Sequence, residues 1–200
     1  MSESHSQIRV AVIQGSVRPG NNTAKAAALV VDELEQTRGV VVEVVDPKSL
    51  RLPLPGERGN HPEVKAMQDT VSRATGVIFV TPEYHGSFSS VTKLIIDNLD
   101  FPSALAGKPI ALVGVAAGVI GAIKALEHLS SVCSHVGGIV LPGPVSVANV
   151  RSVFDAEGNC LDPSIESRVR GLPRKLIDYI VQSTCPNDCL EQSVRSGCPE

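Results

Sequence analysis

The sequence lacks an excess of positive charge, a long hydrophobic run and a cysteine-rich pattern. Lysine and arginine total 18 against 21 acidic residues, so the net charge is -3 and no broad basic surface is available to DNA or RNA. The first apolar run, IRVAVI, is too short to span a membrane or act as a signal peptide. Five cysteines, an odd number, agree with a reducing compartment. We therefore expect a cytoplasmic protein that binds neither membranes nor nucleic acids.

Three phosphate-binding motifs are missing from the segment GSVRPGNNTAK, residues 15–25, which follows that apolar run. Its glycines stand only at positions 15 and 20, so it is not the GxGxxG fingerprint of dinucleotide-binding proteins. It has no Gly-Lys pair followed by serine or threonine, which excludes a Walker loop. The chain has no cysteine before Cys133, which excludes a cysteine-phosphatase loop. A mononucleotide phosphate site and an ordinary turn between a strand and a helix both remain open.

The rest of the chain alternates apolar runs with segments of helical spacing. Nearly continuous runs rich in β-branched residues predict strands covered on both faces, at residues 8–13, 40–45, 76–81, 109–116 and, more weakly, 137–142. Apolar spacing predicts helices around residues 24–34, 64–74, 91–99, 123–129 and 165–180. This alternation predicts a three-layer α/β sandwich with a five-stranded parallel sheet, for which a common strand order is 2-1-3-4-5.

We expect one domain over residues 1–182 and a polar tail over residues 183–200. The tail carries Cys185, Cys189 and Cys198, and their state as free thiols or as a redox-sensitive disulfide stays open. His128, Cys133 and His135 do not form a ligand set with metal-binding spacing, so we predict no metal site.

Residues 15–25 have the composition of an anion-binding helix start. In the predicted sheet, the ligand crevice lies at the carboxyl ends of the strands, where the loops after strands one, three and four meet. A helix N-terminus there presents unpaired backbone N–H groups and a partial positive charge. Glycine permits a close approach and polar side chains add donors for a phosphate; the candidates are Gly15, Ser16, Arg18, Gly20, Asn21, Asn22 and Thr23.

Two segments together resemble a known family. GSVRPGNNTAK and TPEYHGSFSSVTKLIIDNLD, residues 81–100, are similar to the two signatures of the NADPH-dependent FMN reductase family, and the likeness continues over residues 8–141. The family consists of flavodoxin-like proteins that include quinone, azo-dye and chromate reductases. The resemblance implies bound FMN, NAD(P)H as co-substrate, and a homodimer or homotetramer. It also implies two-electron transfer to a quinone, free flavin, azo compound or metal oxyanion.

The resemblance assigns cofactor contacts to three loops. Ser16, Arg18 and Thr23, with the backbone of residues 20–22, would hold the FMN phosphate. The flavin ring would lie against a second loop and a third loop, whose residues are Pro82, Glu83, Tyr84, His85, Gly86, Ala116, Ala117 and Gly118. The family often has serine at position 21 and asparagine at position 85, and relatives often have hydroxyl residues in the third loop. No side chain is predicted to be catalytic, since the flavin carries the chemistry.

The scarcity of aromatic residues favours one type of flavoprotein. The chain has no tryptophan and only two tyrosines, Tyr84 and Tyr179, so a flavin enclosed by aromatic rings on both faces is hard to build. An open flavin face suits hydride transfer from a nicotinamide, whose phosphates Arg18 or Lys48 would meet. A non-catalytic electron carrier or redox sensor that binds FMN remains the alternative.

Overall fold

The computed structural model describes residues 7–57, 59 and 61–184. The three cysteines of the predicted tail therefore lie outside the described residues. The helices are α1 (Asn22–Glu35), α2 (Pro62–Arg73), α3 (Ser90–Asp97), α4 (Ile123–His135) and α5 (Pro163–Tyr179). The strands are β1 (Ile8–Gln14), β2 (Val40–Val45), β3 (Gly76–Tyr84), β4 (Ser87–Phe88), β5 (Pro109–Val115), β6 (Ile139–Val140) and β7 (Val145–Val147). None of the described helices is long and apolar enough to cross a membrane.

The parallel sheet has the order β2-β1-β3-β5-β6, and β7 also pairs with β5. The predicted order is confirmed for the parallel strands, because β4 is not part of this series and β5 and β6 take the places of the predicted fourth and fifth strands. The predicted number of five strands is wrong, since the sheet has seven. The strand predicted over residues 137–142 is reduced to β6, because Pro142 and Pro144 have no N–H group and Gly143 has a φ of 80°. An additional strand that was not predicted, β7, follows these residues, and β6 and β7 pair with opposite ends of β5. The remaining strand, β4, is a short antiparallel addition to β3.

Two hydrophobic clusters lie on opposite faces of the sheet, which confirms the three-layer sandwich. One cluster packs α1 and α5 against alternate strand residues such as Val10 and Val12. The other packs α2, α3 and α4 against the intervening residues, including Ala11 and Ile13. Because both faces of β1 are covered in its centre, residues 10–13 are apolar without alternation. Cys133 lies in the second cluster, and burial raises the pKa of its thiol to about 12.

An ion-pair network joins α1 to α5 at the surface. Arg170 donates to Asp32 and Glu166, and Arg174 donates to Glu33. The hydrogen bond from Arg170, with a further one from Gln36, lowers the pKa of Asp32 below its ordinary value of 3.8. A carboxylate whose pKa is lowered by folding stabilises the fold above the unfolded-state pKa, and this stabilisation is lost as the pH falls through the folded-state pKa.

We expect the substitution Asp32→Asn to lower the urea midpoint slightly at neutral pH, because the pair is exposed and screened by water. The difference from the wild type should shrink at a second, acidic pH below the ordinary pKa of 3.8, because the wild-type carboxyl becomes protonated as the pH falls through its lowered folded-state pKa. Equilibrium unfolding at the two pH values measures both effects, with Glu35→Gln on the same helix as the control. An equal loss of stability at both pH values would contradict the prediction.

Candidate functional site

The loop between β1 and α1 is held open at the carboxyl end of the sheet. Gly15 N–H donates to the Val80 carbonyl of β3 at 2.8 Å, which fixes where the loop leaves the sheet. Ser16 is buried, and its hydroxyl accepts a hydrogen bond from the Arg18 N–H at 3.4 Å. Gly20 has a φ of 59°, which favours glycine, and a Cβ there would meet open space. The loop therefore turns sharply and leaves space in front of α1.

Asn21 is the N-cap of α1. Its Oδ1 accepts from the Ala24 N–H at 2.8 Å, and its Nδ2 donates to the Arg18 carbonyl at 2.6 Å. Because Oδ1 and one Nδ2 hydrogen bind the loop, only the second Nδ2 hydrogen of the Asn21 side chain remains for a ligand beside the main chain. Within the described residues, the N–H groups of Asn22 and Thr23 have no protein acceptor. These groups make the start of α1 a site for an anion.

The second loop is a tight hairpin between β3 and β4. His85 and Gly86 both have positive φ, 51° and 75°, as the two central residues of a type I′ turn require. Histidine, like asparagine, tolerates this conformation better than most residues. The turn is therefore compatible with His85 at the position where the family often has asparagine. Ser87 Oγ lies 3.0 Å from His128 Nδ1, which ties the hairpin to α4.

The third loop, between β5 and α4, is bonded to the segment that follows β7. Ala116 N–H donates to the Val147 carbonyl at 2.9 Å, and the N–H groups of Val150 and Asn149 donate to the Ala116 and Gly118 carbonyls at 3.0 and 3.1 Å. The Ala122 N–H at the start of α4 donates to Ser146 Oγ. A fourth segment, residues 148–152, is therefore a fixed part of this edge.

A buried hydroxyl network joins the first loop to α3. Ser89 Oγ donates to the Gly15 carbonyl at 2.6 Å and lies 3.0 Å from Thr92 Oγ1. Thr92 Oγ1 in turn lies 3.0 Å from Thr81 Oγ1 on β3. Thr81, Ser89 and Thr92 are at most 1% exposed. Hydrogen bonds in such a dry environment hold their partners firmly, so this network fixes the first loop relative to β3 and α3.

A cavity of about 350 Å³ lies among these loops, a size typical of small-molecule sites. Ten of the fifteen predicted cofactor residues line it: Arg18, Gly20, Asn21, Asn22, Thr23, Pro82, Glu83, Tyr84, Ala116 and Ala117. The other five do not: Gly15, Ser16, His85, Gly86 and Gly118. Gly15 and Ser16 are buried, and His85 and Gly86 are the two central residues of the hairpin turn. Lys48 does not line the cavity either.

Four lining residues were missed by the sequence analysis: Pro19, Val115, Val150 and Arg151. The last two follow β7, which ends at Val147, whereas the predicted fifth strand ended at residue 142. The short apolar segment VSV, residues 145–147, was the available signal. A strand at VSV would have placed the residues after it at the carboxyl edge of the sheet.

Three charged side chains of the described residues line the cavity: Arg18, Glu83 and Arg151. The Arg18 guanidinium lies over the Tyr84 ring, 4.5 Å from its centroid. Glu83 Oε2 accepts from the Ala125 N–H at 3.1 Å, in the first turn of α4, whose N-cap residue Ala122 has no side-chain acceptor. The carboxylate of Glu83 is thus engaged by a helix start, where a negative charge is stabilised. Arg18 and Arg151 leave the cavity with an excess of positive charge.

The cavity defines the class of protein: an α/β sandwich that binds its ligand at the carboxyl ends of parallel strands, as flavodoxin-like proteins do. The chain belongs to the NADPH-dependent FMN reductase family, whose model matches residues 8–151. The predicted family membership is confirmed, and with it FMN as the flavin and NAD(P)H as the co-substrate.

Similar proteins of the family match over most of their length. NAD(P)H-dependent FMN reductase PA1204 of Pseudomonas aeruginosa is 30% identical over 162 residues, which cover 78% of this chain and 85% of the relative. An NADPH azoreductase of Bacillus sp. (strain OY1-2) is 31% identical over 176 residues, covering 86% and 94%. The solved structure of FerB, a flavoenzyme NAD(P)H:(acceptor) oxidoreductase from Paracoccus denitrificans, has a TM-score of 0.71 at 24% identity and covers 88% and 98%. The flavodoxin-like fold is thereby confirmed.

Proposed function

We propose that this protein is an FMN-dependent NAD(P)H oxidoreductase that passes two electrons to a quinone, a free flavin, an azo compound or a metal oxyanion. The observation that carries the proposal is the amide-rich start of α1, which opens into a cavity bounded by the family's two signature loops. Relatives named as an FMN reductase, an azoreductase and a 2-hydroxy-1,4-benzoquinone reductase of Burkholderia sp. support this reaction class.

The residues at the start of α1 fit the phosphate of FMN. The N–H groups of Asn22 and Thr23 are free of protein acceptors within the described residues, and the loop before them leaves open space at Gly20. Arg18, in the same loop, supplies a guanidinium that lines the cavity and lies over the Tyr84 ring. Ser16, which is buried, contributes through the turn that it forms with the Arg18 N–H. This donor set holds a dianion without a metal ion.

The two other loops fit the flavin ring. Pro82 to Tyr84 line the cavity together with Ala116 and Ala117, whose small side chains leave room for a flat ring. Tyr84 is the one aromatic side chain among the lining residues that the structure describes, so one ring face stays open to a second planar molecule. FMN, when bound, accepts hydride from a nicotinamide and delivers two electrons to an acceptor. The protein orients the two rings and limits the access of water.

Anaerobic mixing of NADPH with FMN-loaded protein tests the proposed reaction. Titration with FMN first establishes binding through the quenching of flavin fluorescence. We expect the flavin colour to disappear rapidly and stoichiometrically after NADPH is added, and to return when a quinone is added. Slow bleaching would contradict the proposal and favour the electron-carrier or redox-sensing alternative. Failure to bind FMN would overturn both functions.

We expect Asn21→Asp to weaken FMN binding by about one to two orders of magnitude at low ionic strength, because a carboxylate would face the phosphate. The cap of α1 should be kept, since aspartate caps a helix as well as asparagine and interacts favourably with the helix dipole. Aspartate loses the Nδ2 donor to the Arg18 carbonyl, and the serine control below loses it too. Fluorescence titration at low and high salt measures the affinity. Asn21→Ser, which keeps a neutral cap, is the matched control and should bind FMN within a few-fold of the wild type. Equal FMN affinities for Asn21→Asp and wild type would place the phosphate elsewhere.

We further propose that the protein forms a homodimer or homotetramer in the cytoplasm. Apolar side chains exposed beside the cavity support self-association: Val119 and Ile120 are each 78% exposed, and Ile123 is 48% exposed. The odd cysteine count and the low net charge support the location. Light scattering coupled to size-exclusion chromatography measures the subunit number, and a monomer at micromolar concentration would refute the oligomer.

A further inference from the structure

The position of Arg151 in the cavity has no counterpart in the predicted FMN site. Arg151 lies in a short 3₁₀ turn, Val150–Ser152, and lines the cavity together with the start of α1. We infer that Arg151 is a specificity-determining residue that binds a phosphate of the nicotinamide co-substrate and not the phosphate of FMN. This inference rests on the proposed function of the site.

The backbone that carries Arg151 is rigid. The N–H groups of Asn149 and Val150 donate to the carbonyls of Gly118 and Ala116, and the Ser152 N–H donates to the Asn149 carbonyl at 2.9 Å. Val150 is only 5% exposed and packs into the core beside the turn. The two preceding residues, Asn149 and Val150, therefore bind the third loop directly and fix the position of the Arg151 Cα. A residue that positions a ligand needs a backbone fixed in this way.

The guanidinium of Arg151 is available to a ligand. Arg151 is exposed, and in the part of the chain that the structure describes no carboxylate or carbonyl oxygen pairs with its side chain. By contrast, Arg170 on α5 pairs with Asp32 and Glu166. Among the residues that the structure describes, Glu83 is the one acidic residue lining the cavity, and its carboxylate already accepts from the Ala125 N–H. The unpaired charge of Arg151 thus remains to be matched by an anion from outside.

Counting phosphates indicates which molecule that anion belongs to. FMN has a single phosphate, and the N–H groups of Asn22 and Thr23, with Arg18, supply the donors that it needs. A nicotinamide dinucleotide brings a pyrophosphate, and NADPH a further 2′-phosphate. Its nicotinamide must reach the open face of the flavin in this same cavity. A second guanidinium, carried by a separate rigid segment, matches this additional negative charge.

Binding measurements on full-length Arg151→Ala loaded with FMN test the inference. We expect the dissociation constant for NADP⁺ in calorimetry, and that for NADPH in anaerobic stopped-flow reduction, to rise about tenfold or more, because a charge-assisted hydrogen bond is lost. The limiting rate of flavin reduction should change little, and FMN affinity should match the wild type. Arg151→Lys should recover part of the affinity, since it keeps the charge but not the planar fork.

The pattern across nucleotides identifies the phosphate. If Arg151→Ala weakens the binding of NADPH but not of NADH, Arg151 binds the 2′-phosphate. If the affinities for both nucleotides fall equally, Arg151 binds the pyrophosphate. Arg38→Ala, at an exposed position between α1 and β2, is the control. It should leave the dissociation constants for NADP⁺ and NADPH unchanged. Unchanged nucleotide binding by Arg151→Ala, or a loss of FMN in its place, would overturn the inference. Failure of the proposed function is distinguishable, because the wild type itself would then not be reduced by NADPH.

Discussion

Replacing Gly15 with alanine is expected to lower the free energy of unfolding by about 1–3 kcal/mol and to weaken FMN binding at least about tenfold. A Cβ at position 15 would overlap Thr92 Oγ1 and lie within 3.0 Å of Thr81 Oγ1 and 3.1 Å of Thr81 Cα. The Thr92 hydroxyl cannot move away without leaving Thr81 and Ser89, its hydrogen-bond partners. The backbone of Gly15 is equally constrained, since its N–H donates to the Val80 carbonyl.

The expected loss of FMN binding follows from the position of Gly15 beneath the first loop. Gly15 does not line the cavity, so its substitution acts only by displacing Ser16 to Gly20, which set the start of α1. Urea unfolding and FMN titration at a temperature well below unfolding separate the two effects. Gly171→Ala on α5 is the control, because a Cβ there meets no atom within 4 Å and the position lies in a helix outside the cavity, so neither FMN affinity nor stability should fall. A variant at Gly15 that binds FMN like the wild type would show that the first loop does not hold the cofactor.

Ser89→Ala is expected to cost about 2–4 kcal/mol of stability, the sum of a lost helix cap and a buried carbonyl left without its partner. Ser89 caps α3 by accepting from the Thr92 N–H at 3.1 Å, and its hydroxyl donates to the buried Gly15 carbonyl. The same change releases the first loop from α3, so we also expect weaker FMN binding.

Two comparisons identify the source of the Ser89 effect. Ser90→Ala, at the exposed neighbouring position, should leave both the unfolding midpoint and the FMN affinity unchanged. Thr92→Val removes one hydroxyl of the network but keeps the cap, so it should cost less than Ser89→Ala and affect FMN binding less. If Ser89→Ala lost stability but kept full FMN affinity, the network would stabilise the fold without positioning the loop.

Much of the site was predictable because its residues are contiguous in three short segments. The first loop follows β1, Pro82–Tyr84 form the end of β3, and the third loop follows β5, so the parallel strand order brings them together. Ten of the fifteen predicted cofactor residues line the cavity for this reason. Which of them contact FMN stays a prediction that the Asn21 and Gly15 variants test.

The errors concern contacts between segments that are distant in sequence. The strand β7 was not predicted, because its pairing with the carboxyl end of β5, opposite the end that β6 joins, appears only in the assembled sheet. Arg151 was missed for the same reason, since it enters the cavity through bonds between residues 149–150 and the third loop. The side chain of Asn21 was a candidate ligand, whereas the folded loop uses both ends of its amide.

The sequence by itself determined the layer architecture, the family and the two signature loops, because strand burial, helical spacing and loop composition are local properties of the chain. The tertiary structure alone decided the hydroxyl network beneath Gly15, the capping of α4 by Glu83 and the place of Arg151 in the cavity. Each of these depends on atoms from separate strands and helices that meet only when the sheet forms. Hydrogen bonds and charges act over a few ångströms, so their partners are fixed by packing and not by spacing along the chain.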